Sequence, residues 1–256
     1  MVAVATALLV VATGYAVQAG SSSDDAYAAD KPAPATTSTT ATAAAAAAAA
    51  KPPTASPSAG ALFSGGTHFC SASVVHSAAG DVVLTAAHCL NGGTLTFAPG
   101  YHDGVAPYGR WTVTGSFVAD GWSASADPDL DFAFLTVHQA GNPATVESLT
   151  GSNVLGTDTG FTHPITLTGY PDTSDAPVVC QGTTSQSDTY QQRVACAGFP
   201  DGTSGGPWVT DVDPATGYGT VIGVIGGYQL GGDTPDVSYS SYFDDDIAKL
   251  YDSVTG

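Results

Sequence analysis

From residue 61 to the C-terminus the chain consists of short runs rich in Val, Ile, Phe and Trp, each ended by Gly, Pro or Asp. Punctuation this dense leaves almost no stretch where apolar residues recur with the helical period, so the pattern predicts an all-β domain. Strands are expected near 68–75, 82–86, 111–118, 132–137, 165–170, 207–210 and 220–225. The exception is 244–253, where Asp244 or Asp245 can cap a helix and Ile247, Leu250 and Tyr251 fall at i, i+3 and i+4. Many strands followed by one terminal helix point to β-barrels packed together.

The preceding residues are written differently. Residues 1–19 are apolar and end in small residues, which reads as a signal peptide; Val17 and Ala19 fit a cleavage site before Gly20, and Ala26 and Ala28 a second, at 28. No Lys or Arg precedes the apolar run, so an uncleaved anchor is the competing expectation. An anchor wants flanking positive charge to orient it. None is present, which favours secretion. Residues 20–60, dominated by Ala, Ser, Thr and Pro, cannot bury enough apolar surface to offset their ordering entropy. They are expected to be a linker or short propeptide, with the folded domain at 61–256. The expected location is extracellular, with wall or membrane retention through the N-terminal segment as the alternative.

Net charge is −18, and the only cations are Lys31, Lys51, Arg110, Arg193 and Lys249. Nucleic-acid binding, which needs clustered Lys and Arg, is excluded on that ground. The four cysteines allow three pairings; the sequence-local ones, Cys70–Cys89 and Cys180–Cys196, are expected as disulfides. Zinc is the rival, since His68 and His88 lie near Cys70 and Cys89, but no C-x-x-C or H-x-x-H spacing accompanies them. No metal or cofactor is expected.

Three segments carry chemistry. Leu84-Thr85-Ala86-Ala87-His88-Cys89 runs from a strand into a small-residue turn that fixes a histidine, the side chain best suited to general-base work near neutral pH. His68, His76, His102, His138 and His163 lack such a setting and read as ordinary polar residues. In Asp127-Pro128-Asp129-Leu130-Asp131-Phe132, Asp131 directly precedes an apolar strand and is the acid drawn inward; Asp127 and Asp129 stay in a solvated turn. Asp201-Gly202-Thr203-Ser204-Gly205-Gly206-Pro207-Trp208 offers a hydroxyl beside glycine-permitted backbone geometry, as acyl transfer requires. Each segment alone has a bland reading as a strand end or Gly/Ser turn. Their conjunction does not.

Together T-A-A-H-C, D-F-A-F-L and G-T-S-G-G-P, in the order His88, Asp131, Ser204, resemble the chymotrypsin-like serine peptidases over residue 61 to the C-terminus. The resemblance implies two packed six-stranded antiparallel β-barrels with a C-terminal α-helix and the active site between the barrels. It implies a catalytic triad of His88, Asp131 and Ser204, oxyanion donors at Gly202 and Ser204, and a substrate-binding strand ending in Gly226, Gly227 and Tyr228. It also pairs the cysteine after the histidine with one upstream, as Cys89 and Cys70 would be. Gly202-x-Ser204-x-Gly206 fits the α/β-hydrolase pattern too, but that fold places its histidine after the serine, and none follows His163. A subtilisin arrangement needs its aspartate first.

Two departures from the resemblance matter. Thr203 stands where animal digestive members carry the aspartate that pairs with a new N-terminal ammonium, so activation without that ion pair is expected. Gly226-Gly227-Tyr228 replaces a frequent Ser-Trp-Gly, which removes a hydroxyl donor to the buried aspartate. At the position where Arg/Lys specificity would want an aspartate the chain has Gly198, followed by Phe199 and Pro200, so an apolar or broad P1 preference is expected. The expected function is a monomeric secreted endopeptidase acting on peptides or proteins, without stable membrane insertion. The alternative is a catalytically silent homologue that binds a surface or partner.

Overall fold

A computed structural model describes residues 54–90 and 92–256. The expected signal peptide, and the linker up to residue 53, lie outside the described residues. Six strands in the first half, β1 (Ala59–Ser64), β2 (Thr67–Val74), β3 (Val82–Thr85), β4 (Leu95–Pro99), β5 (Trp111–Val118) and β6 (Ala133–His138), close a barrel in the order β1-β2-β3-β6-β5-β4. All of its pairings are antiparallel. Closure satisfies every strand edge and lets the apolar residues fill the interior. Leu62, Val74, Leu84, Phe97, Trp111, Phe134 and Leu135 are accordingly buried.

The second half contributes β7 (Val154–Leu155), β8 (Pro164–Gly169), β9 (Val178–Thr183), β10 (Ser185–Asp188), β11 (Gln191–Ala195), β12 (Pro207–Thr210), β13 (Thr220–Val224) and β14 (Val237–Ser241). They form a five-stranded sheet, β7-β13-β12-β8-β9, and a three-stranded sheet, β10-β11-β14. These two sheets enclose one core and stand where the second barrel is expected, without closing into a single ring and with β7 paired parallel to β13. Ile165, Leu167, Val194, Phe199, Trp208, Ile222 and Ile225 fill the space they enclose.

The terminal helix, α3, spans Asp245–Thr255, and its cap is Asp244, whose side chain accepts from the Asp246 N–H. Ile247 is fully buried, and Leu250, Tyr251 and Val254 pack on the barrel core, the stripe expected from the spacing. Two short helices have no counterpart in the sequence reading: α1 (Asp120–Ser125), none of whose residues is buried, and α2 (Val146–Thr150), capped by Thr145 Oγ1. Both are too short to show a period. No helix among the described residues is long and apolar enough to cross a membrane.

One polar knot ties these pieces together. Glu147 on α2 accepts hydrogen bonds from His76 Nδ1 (2.6 Å), the Ser77 N–H (3.1 Å) and Ser152 Oγ (2.8 Å), while Tyr251 of α3 donates to the His76 carbonyl. Burial opposes ionisation of Glu147, but the bonds from His76, Ser77 and Ser152 prevail and hold its carboxyl below the usual range. A carboxylate depressed on folding adds stability above its unfolded value, about 4.3, and loses it as pH falls through the folded value. The Tm advantage of wild type over Glu147→Gln should therefore be largest at neutral pH and shrink progressively below about pH 4.3. Thermal melts of both proteins across that range check this; a constant difference contradicts it.

Candidate active site

Strand register brings the first two site residues together. Thr85 at the end of β3 pairs with Ala133 at the start of β6, so the residues beyond one strand and before the other are neighbours. His88 sits in the 3₁₀ turn Ala87–Cys89, and Asp131 follows the 3₁₀ turn Pro128–Leu130. The histidine turn is pinned from below, because Cys89 is bonded to Cys70 of β2. The second disulfide joins Cys180 of β9 to Cys196. Each closes a loop short enough to remove about 3 kcal/mol of unfolded-chain entropy. Cys70, Cys89 and His88 lie within ligand distance of one another, but both sulfurs are committed to the disulfide and offer no thiolate.

Asp131 is wholly buried. Its Oδ1 accepts the backbone N–H of His88 at 2.9 Å, and its Oδ2 accepts His88 Nδ1 at 2.7 Å and the N–H of Gly227 at 2.8 Å. Because a carboxylate only accepts, the imidazole proton is on Nδ1 and Nε2 is left as the acceptor in the neutral ring. The donor lost with the missing serine hydroxyl is thus matched by a main-chain amide one residue on. Gly226 fits closely here, since a Cβ would stand 3.0 Å from Asp131 Oδ2 and 3.3 Å from the Ala86 methyl.

Ser204 lies on the loop between β11 and β12. This loop is bolted to the barrel by Ser71 of β2, whose N–H donates to the Ser204 carbonyl (2.7 Å) and whose hydroxyl donates to the Gly202 carbonyl (3.0 Å). The same hydroxyl accepts from the Tyr170 N–H at 2.8 Å. On the other side, Gly205 N–H donates to Ile225 O at 2.7 Å and Ile225 N–H to Gly206 O at 3.0 Å. Gly202 has φ +90, and a Cβ there would meet the Asp172 nitrogen at 2.2 Å, so only glycine closes this turn. Thr203 is buried and its hydroxyl donates to Pro200 O at 2.7 Å.

Amides in the loop divide into two sets. Those of Thr203, Gly205 and Gly206 donate to Pro200, Ile225 and Thr203. Those of Gly202 and Ser204, like those of Ala197, Gly198 and Asp201 earlier in the loop, have no acceptor among the described residues. His88 and Ser204 line one cleft of about 660 Å³, with Phe69, Phe199, Pro200, Ile225 and residues 229–235. Among the described residues no hydrogen bond joins Ser204 Oγ to the ring; catalytic hydrogen bonds often tighten only with substrate. Gly198 does not line the cleft, and neither do Gly226, Gly227 and Tyr228. The backbone of that last segment is turned toward Asp131 and Gln191. Gln229 and Leu230, in the cleft wall, both adopt left-handed φ (53 and 54), strain of the kind that gathers at functional sites.

The sequence reading missed Ser71, which has no motif; its adjacency to Cys70 was the only signal. Comparisons with known proteins bear on the family and the fold. A family model described as trypsin matches residues 48–242. The crystal structure of the protease Anisep from Arthrobacter nicotinovorans is similar at 27% identity and TM-score 0.68, covering 79% of this chain and 97% of that one. A thermostable serine protease, AL20, from an extremophilic microorganism is similar at 26% and 0.68, covering 78% and 97%. Human heparin binding protein shares the fold at 15% identity and TM-score 0.57, covering 77% and 90%. No curated protein sequence matches significantly.

If Ser71 holds the loop as described, Ser71→Ala leaves a buried carbonyl and a buried N–H unpaired, each costing about 1–3 kcal/mol. Urea unfolding should show a lower midpoint at unchanged slope. An unaltered midpoint would remove Ser71 from this role.

Proposed function

The chain belongs to the trypsin family, and from that premise we propose that it is a secreted serine endopeptidase working through His88, Asp131, Ser204 and an acyl-enzyme. The observation that carries this is the buried Asp131 carboxylate bonded at 2.7 Å to the His88 ring, in the cleft that also holds Ser204. Ser204 Oγ attacks the scissile carbonyl carbon while His88 Nε2 takes its proton. The oxyanion of the tetrahedral intermediate is received by the N–H groups of Gly202 and Ser204, neither of which has an acceptor among the described residues. The C–N bond then breaks as His88 returns the proton to the leaving amine. Water, deprotonated by His88, attacks the ester and releases Ser204. Asp131 stays ionised throughout, holding the tautomer and stabilising the imidazolium.

Substrate chemistry follows from the lining. The large buried apolar side chains of the cleft are Phe199 and Ile225, with exposed Pro200 and Pro235 beside them, while its carboxylates, Asp201 and Asp233, are exposed. An apolar or broad P1 side chain suits that floor. We assign the peptide backbone to a carbonyl at the strand end 226–228, since the N–H groups of Gly226, Gly227 and Tyr228 are already given to Tyr239 O, Asp131 Oδ2 and Gln191 Oε1. Secretion is supported by the two disulfides, which persist in oxidising compartments.

Activation needs no N-terminal ion pair on this reading. Thr203 has no charge and is held by Pro200, and β1, whose first residue Ala59 is buried, is already paired on both sides by β2 and β4. Removal of the preceding segment would act by unblocking the cleft. Forms of the chain beginning at several points upstream of Gly60 should therefore be equally active, and activity confined to a single new N-terminus overturns this.

The central test is labelling with an organophosphonate. Wild type should be labelled at Ser204, and Ser204→Ala should lose labelling and about 10⁶-fold in kcat, with Tm nearly unchanged. Asp131→Asn should cost about 10⁴-fold by presenting the wrong tautomer. A wild-type protein that stays unlabelled, or Ser204→Ala with normal turnover of an activated ester, defeats the proposal. A P1 peptide library tests the pocket, where strong Arg/Lys selectivity would contradict the apolar assignment.

A further inference from the structure

Gln191, the first residue of β11, has no place in the catalytic sequence above, yet its side-chain amide is spent on that site's framework. The residue is buried. Its Nε2 donates to the Pro128 carbonyl at 3.0 Å and to Asp129 Oδ1 at 2.7 Å. Its Oε1 accepts the N–H of Tyr228 at 3.0 Å. The orientation of the amide is dictated by its partners, since the first two only accept and the third only donates.

These three partners lie on the two segments that enclose Asp131. Pro128 and Asp129 belong to the turn that delivers Asp131, and Tyr228 follows Gly227, whose own N–H donates to Asp131 Oδ2 at 2.8 Å. A single amide therefore ties the segment carrying the acid to the segment carrying the acid's main-chain donor. The same contact accounts for the glycine. Gly227 has φ +77, and a Cβ there would stand 2.4 Å from Gln191 Oε1. Glycine makes room for the amide; the amide holds the glycine's N–H in place. Where the resemblance leads one to expect a serine hydroxyl on the aspartate, this chain has instead a backbone donor, and a backbone donor is only as well aimed as the strand end that carries it.

We propose that Gln191 is a positioning residue for the acid–base pair: it fixes the Gly227 amide against Asp131 and thereby sets the orientation and basicity of His88, without touching the reacting atoms. This role rests on the proposed endopeptidase function. It requires an amide specifically. A carboxylate would face the Pro128 carbonyl and the Asp129 carboxylate with no hydrogen to give either, and a methionine would fill the space with no bonds at all.

The experiment compares wild type, Gln191→Glu, Gln191→Met and Gln191→Ala, with every rate expressed per active site titrated by the organophosphonate. Titration removes any fraction of protein that has failed to fold, and Met, which keeps the volume, stands in if Ala does not fold. The expected result is a kcat per titrated site lowered by up to about 10²-fold, the scale of a small misplacement of reacting groups, with KM changed much less. The acid limb of the kcat/KM profile should also move, to higher pH in Gln191→Glu, because an added anion near the pair favours the imidazolium. Variants with lower yield or Tm but unchanged kcat per titrated site and an unmoved acid limb would show a purely structural residue and overturn the proposal. A wild type that binds no phosphonate defeats the endopeptidase reading itself, an outcome that the variants cannot mimic.

Discussion

The Asp131 carboxyl group has no solvent exposure, and much of the site's architecture can be understood as compensation for burying it. Removing a carboxylate from water is tolerable only where hydrogen bonds and an opposite or polarisable partner replace the lost hydration. Asp131 obtains three donors, two from His88 and one from Gly227. Each comes from a different direction and from a segment fixed by other means. His88 is fixed by the disulfide beneath its turn, and Gly227 by the Gln191 amide and the close fit of glycine. Loss of any of these would leave the buried carboxyl group short of partners, so Asp131, His88 and the strand end are energetically one unit.

Ser204, the proposed nucleophile, is held by a separate arrangement that meets the first at a single strand. Successive residues of a strand point to opposite faces. On β2, Cys70 reaches the histidine turn through its sulfur, and the next residue, Ser71, reaches the Ser204 loop through its hydroxyl and amide. Two residues distant in sequence, 88 and 204, thereby take their positions from adjacent points on one rigid element. A strand in a closed barrel is a stiff reference, and a site built on such elements is more precise than one carried by loops alone. The loop itself adds the amides of Gly202 and Ser204, which have no acceptor among the described residues, and Gly202 holds a backbone conformation closed to other residues.

How much of this was legible in the sequence depended on whether a residue's role is local. The three chemistry-bearing segments could be read because a histidine after small residues, an acid before an apolar strand and a serine among glycines each express their constraint within a few positions. The disulfides were readable for the same reason. The terminal helix was readable because its apolar stripe repeats. Strand β10 was not, since its residues are all exposed and polar and show no alternation. The division of the second half's strands between two sheets was not readable either, because the pairing of β7 with β13 joins residues far apart in the chain. Ser71 and Gln191 stayed hidden on the same principle: their partners stand 131 and 37 positions away. A hydrogen bond of that span leaves no periodicity and no motif.

The two departures from the resemblance also become intelligible as substitutions of means. Thr203 lacks the charge that would bind an ammonium, but its loop is already held by Ser71 on one side and Ile225 on the other, and its hydroxyl closes a local turn. Gly226 lacks the hydroxyl that would reach the aspartate, but the bare backbone comes close enough for the next amide to do so. At the first place neutral hydrogen bonds stand in for an ion pair, and at the second a main-chain donor stands in for a side-chain one. Main-chain donors cost no rotamer entropy to order, but they tolerate no local slip of the backbone. A chain that relies on them must fix its strand ends firmly, and the buried amide of Gln191, with every hydrogen committed, is how this one does so.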